Sequence, residues 1–110
     1  MNITTTPLGG GVTVLAVDGR LNVVTAPAMK REVQNVLRQG DVKLAIDLTA
    51  VEFIDSSGLG ALIGGLKAAR TAGGDLRIAG ATEQVVSVLR LTNLDKVLRI
   101  YESAQSAYGD

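Results

Sequence analysis

The sequence predicts an α/β domain: a mixed, mostly parallel sheet of about five strands with about four helices, in the order β-β-α-β-α-β-α-β-α. Short alternating or β-branched runs take turns with stretches of helical period, and strands that alternate with helices pair in parallel through crossovers. A glycine turn joins the first two strands directly, which adds an antiparallel component. With 110 residues, 46% hydrophobic and 20% charged, the chain is long enough for one domain around one core. No internal repeat, linker or low-complexity segment divides it.

Taken in order, Ile3 to Thr6 reads as a short edge strand, limited by Pro7, which lacks an N–H for the ladder. Gly9-Gly10-Gly11 reads as a turn, because neither Gly-Lys-Ser/Thr nor a helix follows as a phosphate loop requires. Val12 to Val17 is the second strand of the hairpin, and Asp18 to Asn22 a loop. Thr25 is placed to cap a helix with Pro27 in its first turn. That helix runs to about Arg38 with Met29, Val33, Val36 and Leu37 as its buried stripe, and Gly40 stops it. Val42 to Leu48 alternates as a strand with one well-covered face, and Thr49–Ile54 leads into a central helix ending near Gly73-Gly74. Asp75 to Ala79 is a strand, Thr82 caps a helix through about Leu91, and Asn93 suits its end. Val97 to Ile100 is a last strand, and Glu102 to Tyr108 a weaker terminal helix.

Composition excludes whole classes of chemistry. There is no histidine and no cysteine, which removes His-based triads, disulfides and the usual zinc ligands. Eleven basic residues balance eleven acidic ones, so no electrostatic footprint for direct nucleic-acid binding is visible. No apolar run approaches the roughly 20 residues that span a bilayer, and the N-terminus lacks the basic head and apolar segment of a leader. The expected setting is cytoplasmic, without membrane insertion. No cofactor or metal site is expected.

The chemistry concentrates at Asp55-Ser56-Ser57-Gly58, a tight entry into the central helix. Its side chains can accept from the free N–H groups of the first turn, which is the structural reading. A nucleophile elbow fails, since the preceding glycine and an activating histidine are missing. A dinucleotide fingerprint is incomplete. Gly58-x-Gly60 opens a helix and Asp75 lies near the ribose-contact distance, but position 63 is Ile. That leaves weak nucleotide binding as an open reading. Finally, a serine at a helix start tolerates a phosphate, which the helix dipole favours. Gly58, Gly60, Gly64 and Gly65 make this helix poor by propensity, at roughly 1 kcal/mol each. Either close packing or a surface kept low for a partner explains them.

The motif Asp55-Ser56-Ser57-Gly58-Leu59-Gly60, after Asp47-Leu48 and Phe53-Ile54, resembles the STAS domain of bacterial anti-sigma factor antagonists. Element order and length agree with it over essentially the whole chain. The resemblance implies a STAS-type fold and a partner switch with no catalysis of its own. In that family the first serine of the pair is phosphorylated by an anti-sigma factor serine kinase and restored by a serine phosphatase. The unphosphorylated antagonist binds the kinase and releases the sigma factor. Carried over, Ser56 is the phosphosite, Asp55 its acidic neighbour, Ser57 and Gly58 complete the turn, and Gly60, Ala61 and Gly64 meet the partner. One position departs: where the family commonly has an aspartate after Gly-x-Leu, Gly19-Arg20-Leu21 is followed by Asn22. Asn22 therefore bears on kinase recognition. It also leans toward the alternative, a non-catalytic adaptor subunit of a membrane lipid-transport or signalling complex.

Overall fold

The computed structural model describes residues 2–109. The expected element order holds, and five strands form one sheet in the spatial order β1-β2-β3-β4-β5. β1 (Ile3–Gly9) and β2 (Val12–Leu21) pair antiparallel; β3 (Lys43–Ile54), β4 (Asp75–Ala79) and β5 (Ile100–Tyr101) follow in parallel. The helices are α1 (Ala26–Arg38), α2 (Ser56–Thr71), α3 (Glu83–Leu91) and the single turn α4 (Ala104–Ala107).

Several boundaries differ from the sequence reading, each for a local reason. β1 continues through Pro7 to Gly9 rather than stopping at Thr6. Asp18 N–H donates to Asn2 O at 3.1 Å, and the antiparallel alternation then turns the backbone N of Ile3, Thr5 and Pro7 outward, where a missing N–H loses no ladder bond. The Asp18–Leu21 segment read as loop is strand, and so is Thr49–Ile54. The register between β2 and β3 shifts between Ala16 and Asp18 and again between Gly19 and Arg20, so β3 carries an extra residue at each bulge. These bulges let Leu48 and Val51, three apart, both face the core, a spacing that strict alternation reads as the end of a strand. The last strand is Ile100–Tyr101 instead of Val97–Ile100, because Leu94–Lys96 tightens into a 3₁₀ turn and pulls Val97 out of line. α4 is correspondingly shorter than Glu102 to Tyr108.

One face of the sheet carries the main core. Leu15, Val17, Leu44, Ile46, Leu48, Leu76 and Ile78 meet Met29, Val33, Leu62, Leu66, Val85 and Leu89 from α1, α2 and α3. The opposite face is covered in part, by α4: Ala107 packs on Val14 and Ala45 with Tyr101 and Tyr108 beside them. Polar contacts hold this short turn. Arg77 Nη1 donates to Ala107 O at 2.7 Å, its guanidinium lies 4.2 Å from the Tyr108 ring centroid, and its Nε pairs with Asp75 Oδ2 at 3.1 Å. Tyr108 Oη donates to Leu44 O at 2.9 Å.

Burial, reinforced by the nearby Asp75 carboxylate, pushes the Tyr108 phenol up to about 12 from an ordinary 10.0. A proton held more tightly in the folded state stabilises it below the unfolded value, and that stability is lost as pH rises through the folded value. The melting temperature should therefore fall more steeply between pH 10 and 12 for the native chain than for Tyr108→Phe. The same variant should lose about 1 kcal/mol at neutral pH with the hydrogen bond to Leu44. Thermal melts across the pH range, with tyrosinate absorbance followed in parallel, check both.

Candidate functional site

β2 and β3 run parallel and end side by side, at Leu21 and Ile54, which are register partners. Their following loops therefore emerge together, one entering α1 and the other α2. Asp55 joins the two. Its N–H donates to Leu21 O at 3.2 Å, Oδ1 accepts from Gly58 N–H at 2.9 Å as the cap of α2, and Oδ2 accepts from Val23 N–H at 3.2 Å. Asp55 was expected as a cap acceptor and as the acidic neighbour of Ser56; the cap is present, and both of its oxygens accept backbone N–H groups. Its first role is to fix the turn.

The β2–α1 loop is closed by Asn22. Its Oδ1 accepts from Val24 N–H at 3.0 Å and Thr25 N–H at 3.2 Å, an Asx turn. Thr25 holds the N-cap position, as expected, yet makes no forward cap bond. Its hydroxyl instead accepts from Asn22 N–H at 2.9 Å and donates to Arg20 O at 2.7 Å. Asn22 is thus built into the loop through its Oδ1, an atom that aspartate also has.

Ser56 is the first residue of α2 and is exposed; Ser57 is half-buried. Around them the structure exposes three apolar side chains that the sequence reading had not placed at the site: Val23 at 66%, Val24 at 80% and Phe53 at 48%. Arg20 lies 5.9 Å from the Phe53 ring centroid. Phe53 also lines a groove of about 370 Å³ between the end of β3 and α3, with Ile54, Val85 and Val88. An apolar pair directly after a turn residue was the available signal for Val23 and Val24. Phe53 was hidden by its place in an apolar run, because the bulge that turns it outward leaves no mark in the periodicity.

The glycines of α2 divide into two kinds. A Cβ on Gly58 would collide with the carbonyl oxygen of Leu21 and approach Ile54 Cγ1 to 2.9 Å, and one on Gly65 would come within 2.9 Å of Leu76 Cδ1. These two serve close packing. By contrast, among the described residues no heavy atom outside the adjacent residues and the local helix backbone lies within 4 Å of a Cβ placed on Gly60 or Gly64, and both are exposed. The expected small face of Gly60, Ala61 and Gly64 needs correcting at Ala61, which is 1% exposed and belongs to the core. Gly58, expected at the partner surface, is likewise buried. Ser56, Gly60 and Gly64 follow one another at intervals of four, so they share the outer face.

Asp75 is far from all of this. It is the register partner of Lys43 at the opposite end of β3, eleven residues from Ile54, on the order of 30 Å away along the strand. It pairs with Arg70 at 3.4 Å and Arg77 at 3.1 Å. A ribose contact by Asp75 to a nucleotide held at Gly58 is ruled out by that placement. Among the described residues, no helix is long and apolar enough to cross a membrane.

Comparison with known proteins agrees with this architecture. The family model of the STAS domain matches residues 5–107. A Thermotoga maritima protein, provisionally named an anti-sigma factor antagonist, is 35% identical over 97 residues, covering 87% of this chain and 86% of that one. A crystal structure of a protein so described from the same organism superposes with a TM-score of 0.87 at 32% identity, covering 96% of this chain and 90% of the other. The anti-sigma-B factor antagonist of Bacillus subtilis is 31% identical over 91 residues, 83% of this chain and 81% of its own. SpoIIAA of Bacillus in its phosphorylated form has a TM-score of 0.73 at 14% identity over 96% of both chains, a likeness of fold alone.

The two kinds of glycine respond oppositely to the same substitution. Gly58→Ala should destabilise the fold by about 2 kcal/mol or more, since the atom it meets is backbone. Gly60→Ala and Gly64→Ala should each stabilise it by roughly 1 kcal/mol through helix propensity. Urea unfolding of the three variants reads the signs directly.

Proposed function

Since the chain belongs to the STAS-domain family, we propose that it is an anti-sigma factor antagonist, a partner switch with no catalysis of its own, controlled by phosphorylation of Ser56. Its unphosphorylated form binds an anti-sigma factor with serine-kinase activity and so frees the sigma factor. Phosphate on Ser56 blocks that binding, and a serine phosphatase restores it. The observation that carries the reading is the setting of Ser56: an exposed hydroxyl at the first position of α2, rimmed by exposed Val23, Val24 and Phe53. An exposed apolar rim around a modifiable hydroxyl suits a surface that is covered in one state and released in the other. The names of the Thermotoga and Bacillus relatives support the same reading.

The magnitudes favour release rather than unfolding. At a helix N-terminus a phosphate gains roughly 0.3–1 kcal/mol from the dipole. Asp55, one residue away, repels it and offsets part of that gain. The balance inside the molecule is small. Across an interface, a desolvated and unpaired phosphate costs several kcal/mol, so occupancy changes by orders of magnitude while α2 stays folded. The departure at Asn22 does not weaken the turn, because its Oδ1 supplies the two loop bonds itself.

Ser56→Asp should therefore melt within about 1 kcal/mol of the native chain and bind the anti-sigma factor of the same genome at least tenfold more weakly. Ser56→Ala should bind it at native affinity and resist the kinase. Titration calorimetry of the three proteins, with phosphopeptide mapping from growing and stressed cells, tests the switch. Equal affinities, with Ser56 unmodified in both conditions, would favour the adaptor alternative.

A further inference from the structure

Charge is unevenly placed in this neutral chain. Across α1 and α2 stand Lys30, Arg31, Arg38, Lys67 and Arg70 against the one acid, Glu32, so the two helices carry a net +4. Arg70 is partly neutralised by Asp75 at 3.4 Å. Among the described residues, no acidic group pairs with Lys30, Arg31, Arg38 or Lys67. The uncovered part of the opposite sheet face is acidic instead: Asp18, Asp47 and Glu102 line its two hollows. Lys30, Gln34, Gly64 and Lys67 are exposed, and the helices part between them. A cleft of about 130 Å³ opens there, lined by Lys30, Val33, Gln34, Gly64, Gly65 and Ala68. Its floor is apolar and a cation stands at its edge.

Resting on the reading above, we propose that the partner docks an acidic surface over the outer faces of α1 and α2, seating one aliphatic side chain in the cleft at Gly64. Two independent observations converge on this. The missing side chain at Gly64 sacrifices helix propensity without relieving any clash inside the molecule, and what it leaves is an opening rather than a contact. Lys30 at that opening and the other unpaired cations of the two helices select the sign of the partner. Complementary charge of this kind raises the rate of encounter and fixes orientation.

The same arrangement explains how phosphate acts. Gly64 lies eight residues along α2 from Ser56, about 12 Å at the helical rise, which exceeds the Debye length of about 8 Å in physiological salt. The phosphate therefore perturbs the Lys30 cation at the cleft little. It acts on that part of the acidic partner lying over the first turn of α2, where like charges meet.

The test is stopped-flow binding to the purified anti-sigma factor of the same genome, at low and physiological salt. The double variant Lys30→Glu/Lys67→Glu should associate at least tenfold more slowly at low salt, with the deficit shrinking as salt rises. Gly64→Leu, which fills the cleft from an open position, should dissociate several-fold faster. Glu102→Lys, on the acidic face, should behave as the native chain. If the double variant associates within twofold of the native rate at every salt concentration while Ser56→Asp still blocks binding, the acidic docking surface is wrong and the switch stands. If Ser56→Asp binds normally while the charge reversal slows association, the docking surface stands and the switch is wrong. Native dissociation by Gly64→Leu overturns the seat in the cleft.

Discussion

The close approach of the first turn of α2 to the end of β2 is the contact on which the site depends. Leu21 O accepts the Asp55 N–H, and Gly58 lies so near the same carbonyl that a single methyl group would collide with it. Because the strands are parallel register partners at this point, the approach also brings the β2–α1 loop alongside. Asp55 then closes both loops with one carboxylate, through Gly58 and Val23. Each of these bonds is worth only about 1 kcal/mol by itself. Their value is geometric: they leave Ser56 with its backbone fixed and its side chain in solvent. Under the proposed switch, a hydroxyl held in this way presents its phosphate at a constant place, and the partner is excluded by a group whose position does not relax.

Much of this was legible in the residues. The polar cluster before a stripe of Leu59, Leu62, Ile63 and Leu66 announced a capped core helix; the three leucines are buried and Ile63 is partly buried against the core. The glycine turn, the Gly40 stop and the Asn93 stop rest on left-handed backbone that the structure contains at each position. What was illegible has a common cause. Periodicity reports which face a residue takes as long as the ladder is regular, and β3 is not. Its bulges put Leu48 and Val51 on one side and turned Phe53 to the surface, so six residues of strand read as a connection and the exposure of Phe53 left no sign in the pattern. Nor can a sequence say which glycine touches something. Gly58 and Gly60 are two apart in the same helix, and only the position of Leu21, thirty-seven residues earlier than Gly58, separates packing from surface.

The two faces of the sheet are unequal, and this bears on where a partner can bind. The helical face holds nearly all the large buried side chains, so it can present a rigid outer surface of α1 and α2 without losing shape. The other face depends on a single helical turn held by Arg77 and Tyr108. A helix of four residues has no stability of its own. That face is the weaker platform, and its uncovered portion is polar and acidic.

A net charge of zero is usually taken to mean that a protein has no electrostatic preference among partners. Here the zero is a sum of opposed parts, since a chain with eleven cations and eleven anions places five of the cations on two adjacent helices. Screening makes the distinction matter. Beyond about 8 Å in physiological salt a partner senses little of the distant acidic face, so an approaching surface meets a cationic protein or an anionic one according to direction. Ser56 stands at the N-terminal, positive pole of α2, beside Asp55 and at the opposite end of the helix from Arg70. Under the switch proposed above, a phosphate there adds about two negative charges to the first turn while leaving the distant charges and the core as they are. On that proposed reading, a local change of charge on a rigid surface releases the partner with no conformational change in this chain.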